Sequence, residues 1–188
     1  MFKNHDNIQE HKNDAVGDNN IFSVIKKTNL TAMELKENLD NNNDYKIDYS
    51  TLKTAEDFRL HHLISIKKYE YGGNIFGLVH VQLQYFVKQS NYDYYMSVVR
   101  EKTYKAIEIS KINTGSDKVF VLLDLSNITQ RNFSRKFIKI FAKDINVRYD
   151  NQLAFCYITG NVNFVKMVWP IVLMFLEKET KKKLILLK

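Results

Sequence analysis

Five consecutive apolar residues, Val119-Phe120-Val121-Leu122-Leu123, stand between Lys118 and Asp124. A strand wetted on one side alternates apolar and polar residues, so an unbroken run predicts a strand covered on both faces. Such strands belong to parallel sheets, whose neighbours are joined by long crossovers, usually helices. The flanking sequence supplies both. Leu153 to Ile158 reads as a second buried strand and Leu184 to Leu187 as a last one. Between them, Phe133, Phe137, Phe141 and Ile145 form one helical stripe, and Phe164, Val168, Val172 and Phe175 another. Upstream, Tyr92, Met96, Val99, Thr103, Ala106 and Ile107 recur at helical spacing. Leu63 to Tyr69 and Leu78 to Val87 flank Gly72-Gly73, a strand, turn, strand pattern. The expected class is α/β: a mostly parallel sheet with helices, preceded by a small helical N-terminal module. Residues 1–20 read as a disordered tail, 21–60 as the helical module and 61–188 as the main domain.

Composition narrows the functional classes. A chain of 188 residues buries roughly 70% of its unfolded surface and needs no staples. The single cysteine, Cys156, excludes a disulfide framework within the chain and a multi-cysteine zinc site. The polar start does not read as a secretory signal. The longest apolar run, Met167 to Leu176, is short of the ~20 residues of a membrane span. A cytoplasmic protein is expected. The net charge of +7 divides unevenly: residues 1–60 hold 8 Lys/Arg against 11 Asp/Glu, whereas residues 61–188 carry +10. That surplus favours anionic partners. Arg131, Arg135, Lys139 and Lys143, at spacing four, predict one cationic helix face opposite the Phe133 stripe. Its functional reading is contact with an anionic membrane surface; its bland reading is a solvated face. Basic and aromatic residues are not interleaved as in nucleic-acid binding modules, so nucleic acid is not an expected partner.

Catalytic signals are thin. Asp124 ends a predicted central strand, where open α/β sheets place ligands, but capping the next loop is the simpler role. His61 and His62 are adjacent and would point to opposite faces of a strand. Cys156 lies within an apolar strand and reads as an inert thiol. Asp40, Asn42, Asp44 and Asp48 imitate a calcium loop, but Tyr45 and Thr51 stand where its glycine and closing glutamate belong. No metal or cofactor is expected.

From Val119 onward the residues resemble a known family. Val119 to Leu123 followed by Asp124-Leu125-Ser126-Asn127 resembles the segment of an apolar strand and Asp-Leu-x-Gly/Asn found in CRAL-TRIO lipid-binding domains, in particular the yeast-type phosphatidylinositol-transfer proteins. Tyr149-Asp150-Asn151-Gln152-Leu153 stands where the family has Tyr-Pro-Glu-Arg-Leu/Met, and Thr159-Gly160-Asn161 ends the next strand. Trp169-Pro170 and Phe175-Leu176-Glu177 resemble the following helix, and Lys183-Leu184-Ile185-Leu186 the strand after it. Phe22 to Lys27 and Asp44 to Asp48 are similar to its N-terminal module, with Val24 where a basic residue is usual.

The resemblance implies a sheet whose one face floors an apolar slot for a lipid tail, and binding or transfer of a phospholipid without catalysis. Floor candidates are Val81, Leu83 and Tyr85 on one strand and Val119, Val121 and Leu123 on the next, with Phe155 and Tyr157 beside them; plain core packing would select the same residues. Phe164, Val168 and Val172 are expected in the wall, with the Phe133 helix as cover. For the headgroup, Lys183 matches the family's lysine, while Asn151 stands in the place of its acid. The resemblance also places the chain's end ahead of the family's gate segment, which implies a shortened chain, an open slot or a slot finished by another chain, with a homo-oligomer expected if the slot is open. The alternatives are an interaction scaffold of the same fold and an α/β enzyme using Asp124.

Overall fold

The computed structural model describes Leu35 and residues 52–88 and 91–187. The expected tail, Val24, the Asp40–Asp48 run and nearly all of the expected helical module lie outside the described residues. What is described is an α/β fold around one five-stranded sheet in the order β1-β2-β3-β4-β5.

Helix α1 (Ala55–Leu63) starts at Thr54, whose hydroxyl accepts from Asp57 N while the Asp57 carboxylate accepts from Thr54 N, a reciprocal capping box. It carries His61 and His62 in its last turn, not on a strand. β1 (Ile64–Tyr71) and β2 (Asn74–Gln82) form an antiparallel hairpin. Gly72 and Gly73 both have positive φ, the backbone that a two-residue hairpin turn needs. β2 stops at Gln82 and the chain continues as a 3-10 turn, Leu83–Tyr85.

Helix α2 (Tyr92–Thr114) begins at Asn91, whose side chain accepts from Asp93 N and Tyr94 N, and ends at Gly115 in the left-handed region. β3 (Val119–Leu125) is the central strand. Helix α3 (Arg135–Asp144), capped by Ser134, runs on as a π-helix, Ile145–Tyr149. β4 (Leu153–Gly160) leads to α4 (Val162–Phe175), α5 (Lys178–Lys182) and β5 (Leu184–Leu186).

β2 to β5 are all parallel, and each pairs with the next in sequence. Crossovers are almost always right-handed, so a sheet that grows in one direction puts every crossover helix on the same face. Side chains follow: α2 and α3 pack with Ile64, Ile66, Val79, Val81 and Val119, and α4 with Ile158 and Leu184. α2 crosses β2 so closely that a Cβ on Gly77 would lie 1.9 Å from Ala106 O. Ser110 of α2 accepts a hydrogen bond from Gly77 N at 2.9 Å across that contact.

The other face, called the back here, is aromatic. Tyr69, Phe120 and Tyr157 are buried there with Phe76 and Phe155 against them, and the fully buried Leu35 joins the cluster. Phe120 meets Tyr69 edge-on at 4.9 Å, and the Tyr69 and Tyr157 hydroxyls are 3.2 Å apart.

Candidate functional site

Between the front of the sheet and its three long helices lies a cavity of about 120 Å3, many times the roughly 10–15 Å3 that one water requires. Val79, Val81, Val121, Leu123 and Ile158 belong to its floor. Phe137, Ile138, Phe141 and Ala142 of α3, with Val165, Val168, Trp169 and Val172 of α4, form its roof. Val99 and Thr103 of α2 wall one side, and Tyr149, Leu176 and Thr180 border the other. Nearly every lining group is aliphatic or aromatic, so the space favours hydrocarbon. Described residues of α3 and α4 supply this roof.

Of the expected lipid-contacting residues, Val81, Leu83, Val119, Val121, Leu123, Val168 and Val172 line this cavity. Four do not. Phe155 and Tyr157 point to the back face, where they pack with Phe120 and Tyr69. The cause is a register shift: Val119 pairs with Leu153, but Phe120 pairs with Phe155. One extra residue on β4 reverses the side on which every later side chain falls. Cys156 and Ile158 take the floor instead. Tyr85 is in the 3-10 turn beyond β2, its ring 5.2 Å from that of His62. Phe164 lies near the start of α4 against Phe133, at 6.2 Å.

Few polar groups touch the cavity, and most are tied down. Asp144, 8% exposed, receives Arg100 Nε and Nη2 and Arg148 Nε at 2.7–3.1 Å. Burial pushes the Cys156 thiol up to about 12, and burial first of all lifts the Tyr149 hydroxyl to about 12. Asn146 of the π-helix fastens the end of the roof: its Nδ2 donates to Phe175 O at 3.1 Å and its Oδ1 accepts from Glu177 N at 3.4 Å.

The expected headgroup residues Lys183 and Asn151 are not among the lining residues but adjoin in sequence Leu184 and the Tyr149–Leu153 segment whose ends line the cavity; Lys183 Nζ donates to Asp150 O and sits 3.7 Å from Asp150 Oδ1. Thr180 Oγ1 lies 3.1 Å from Asp150 Oδ1. The carboxylate beside Lys183 therefore comes from Asp150, one residue before Asn151. Asn151 is exposed, and its carbonyl oxygen accepts from Lys118 Nζ. Sequence alignment by motif passes over Asp150 because it occupies a proline's place.

A family model described as the CRAL/TRIO domain matches residues 61–188. The chain belongs to the CRAL/TRIO family. That family is one of lipid binding. Ten solved chains are significantly similar, among them that titled "Crystal structure of Sfh5", at a TM-score of 0.59 and 13% identity. The match covers 74% of this chain and 52% of that one, so it spans about half of Sfh5 and speaks for the fold. A search of curated proteins finds no significant match.

For a CRAL/TRIO domain the cationic stripe is the remaining expected feature. Arg135, Lys139 and Lys143 are exposed on α3. Arg131 is exposed too, but belongs to a 3-10 turn, Gln130–Asn132, ahead of the helix cap, so it does not continue the helix face. Among the described residues no helix is long and apolar enough to cross a membrane, and no His, Cys, Asp or Glu cluster could hold a metal. Asp124 lies on the back face; its Oδ1 accepts from Ser126 N at 2.8 Å, which braces the loop after β3. His80 Nε2 is 3.8 Å from its other oxygen.

Proposed function

We propose that this CRAL/TRIO chain holds a phospholipid by its acyl chain in the front cavity and carries it between membranes without bond chemistry. The supporting observation is the cavity itself, apolar on the β-sheet floor and on the α3 and α4 roof. Each methylene moved into such surroundings contributes roughly 0.8 kcal/mol, enough over one chain to extract a lipid from water. Lys183, Asp150 and Asn151, next in sequence to cavity-lining Leu184 and Tyr149, would offer a cation and hydrogen-bonding groups to a headgroup, which suits inositol phosphate. Arg131, Arg135, Lys139 and Lys143 would hold the domain against an anionic surface, each nearby cation contributing about 1 kcal/mol. Exposed Met167 and Met174 on α4 add apolar contact at the interface. Reversible docking of this kind suits a cytoplasmic carrier.

The test is lipid extraction and mass spectrometry of the purified chain, with uptake of labelled phospholipid from vesicles. Stoichiometric lipid is expected. Leu123→Trp fills the floor and should lower uptake about tenfold or more, equal to 1.4 kcal/mol, with vesicle docking intact. Absence of both bound lipid and uptake would sink the carrier reading, and docking that survived alone would favour a scaffold.

A further inference from the structure

One buried carboxylate holds two arginines where α2 meets the π-helix. Asp144, the last residue of α3, is 8% exposed. Arg100 of α2 grips it with Nε, 3.1 Å from both oxygens, and with Nη2, 2.7 Å from Oδ1. Arg148, on the π-helix, adds its Nε at 3.0 Å from Oδ1. A guanidinium stays charged at any ordinary pH, so one carboxylate cannot balance two of them. One positive charge is left over at a fixed place. Glu101, beside Arg100 in sequence, does not answer it, because it pairs with Lys105 at 2.6 Å. Asp144 lines the front cavity but neither arginine does, and their side chains are 37% and 47% exposed. The surplus charge therefore faces solvent.

Each arginine commits only part of its five N–H donors to Asp144. Arg100 Nη1 and both terminal nitrogens of Arg148 have no hydrogen-bond partner among the described residues. Asp144 meanwhile fixes both planes, so little further ordering is needed when a ligand arrives. We propose that Arg100 and Arg148, oriented by Asp144, form a clamp for a phosphate monoester. Such a group carries close to two negative charges and three terminal oxygens, enough to accept from both guanidiniums at once. A carboxylate ligand brings one charge and two oxygens and answers only one fork. The clamp uses neither the cavity lining nor Lys183 and Asn151, so it goes beyond the lipid-holding reading above and does not depend on it. A soluble phosphate and a lipid with a terminal phosphate, such as phosphatidic acid, offer the same chemistry.

The test has two arms. In the first, inorganic phosphate is titrated into the unaltered chain at constant ionic strength and followed by calorimetry and NMR. Saturable binding is expected, with the amide signals of Arg100 and of residues 144–148 moving most. Arg148→Gln keeps the Arg100–Asp144 pair and should weaken phosphate about tenfold. Arg148→Lys restores the charge without the fork and should recover only part of that loss. Lys111→Gln removes an equal charge from the exposed far end of α2 and should change affinity by no more than about twofold. In the second arm the chain meets phosphatidylcholine vesicles that carry phosphatidic acid or phosphatidylserine at equal surface charge. A preference for phosphatidic acid that Arg148→Gln removes assigns the phosphate to a membrane lipid; phosphate binding without that preference assigns it to a soluble ligand. The clamp is overturned if neither arm shows binding, if Arg148→Gln binds as the unaltered chain does, or if Lys111→Gln loses as much. Signals that move only elsewhere overturn it too, and they decide even if Arg148→Gln fails to fold. Lipid uptake by the cavity is measured separately, and its loss leaves the clamp standing.

Discussion

Burial on the cavity floor favours the neutral form of Cys156, whose pKa is raised to about 12. The thiolate is the reactive species, so near neutral pH almost every copy is protonated and unreactive. The sign follows directly. Labelling by a maleimide should start slow and accelerate about tenfold per pH unit through the alkaline range, because the thiolate fraction is still rising as pH approaches 12. Cys156 is the only cysteine, so the rate is unambiguous. A lipid lying on the floor should slow that labelling further at every pH; a rate indifferent to loading would place the lipid elsewhere. The same position shows where reading the chain stops short. β4 is covered on both faces, so its side chains carry no apolar and polar alternation from which to phase the strand. Phe155 and Tyr157 look like better lipid contacts than Cys156 because they are large. The choice is made by a backbone slip beside Leu153, and the side chains there give no sign of it.

Elements carry more of their structure in the sequence than single contacts do. Gly72-Gly73 and the phenylalanine stripe that runs into α3 are local chemistry, and each marks an element that is present. Periodicity alone overruns boundaries, though. The spacing of four that joins Arg135, Lys139 and Lys143 extends back to Arg131, while Ser134 accepts from Phe137 N and starts the helix after it. The sequence is equally silent on the π-helix, which forms where Asn146 reaches the end of α4 and Tyr149 turns inward. For the helix that is present, charge reversal is the direct test. Each of Arg135→Glu, Lys139→Glu and Lys143→Glu should weaken binding to anionic vesicles about fivefold or more, the factor that corresponds to about 1 kcal/mol per cation removed. The loss should shrink as salt is raised, since these exposed charges act through solvent. Thermal stability should barely move, because exposed substitutions away from special contacts rarely matter. Binding that is unaffected by all three would remove α3 from the docking surface.

At the scale of the molecule, the order β1-β2-β3-β4-β5 decides where function can reside. Successive right-handed crossovers place α2, α3 and α4 on one side, so the front can open a cavity between sheet and helices. The back is left to aromatic packing around Phe120, with Leu35 set into it. The sheet then separates the front cavity from the aromatic packing behind it, and substitutions on its two faces should have opposite signatures. Phe120, 1% exposed, contacts Tyr69 at 4.9 Å and Phe76 at 5.3 Å. Phe120→Leu removes those ring contacts and should cost about 1–2 kcal/mol in denaturant unfolding. Lipid uptake per folded molecule should stay as it was, since that side chain never meets the cavity. Leu123, three positions along the same strand, faces the other way. Leu123→Trp should abolish most uptake, while its cost in stability is limited because the ring enters space the cavity already provides. Measuring both quantities on both variants gives a crossed pattern if the sheet is a wall. Uptake that fell with Phe120→Leu in proportion to stability would mean instead that back-face packing sets the width of the slot, and β3 would have to be treated as a moving part of the binding site.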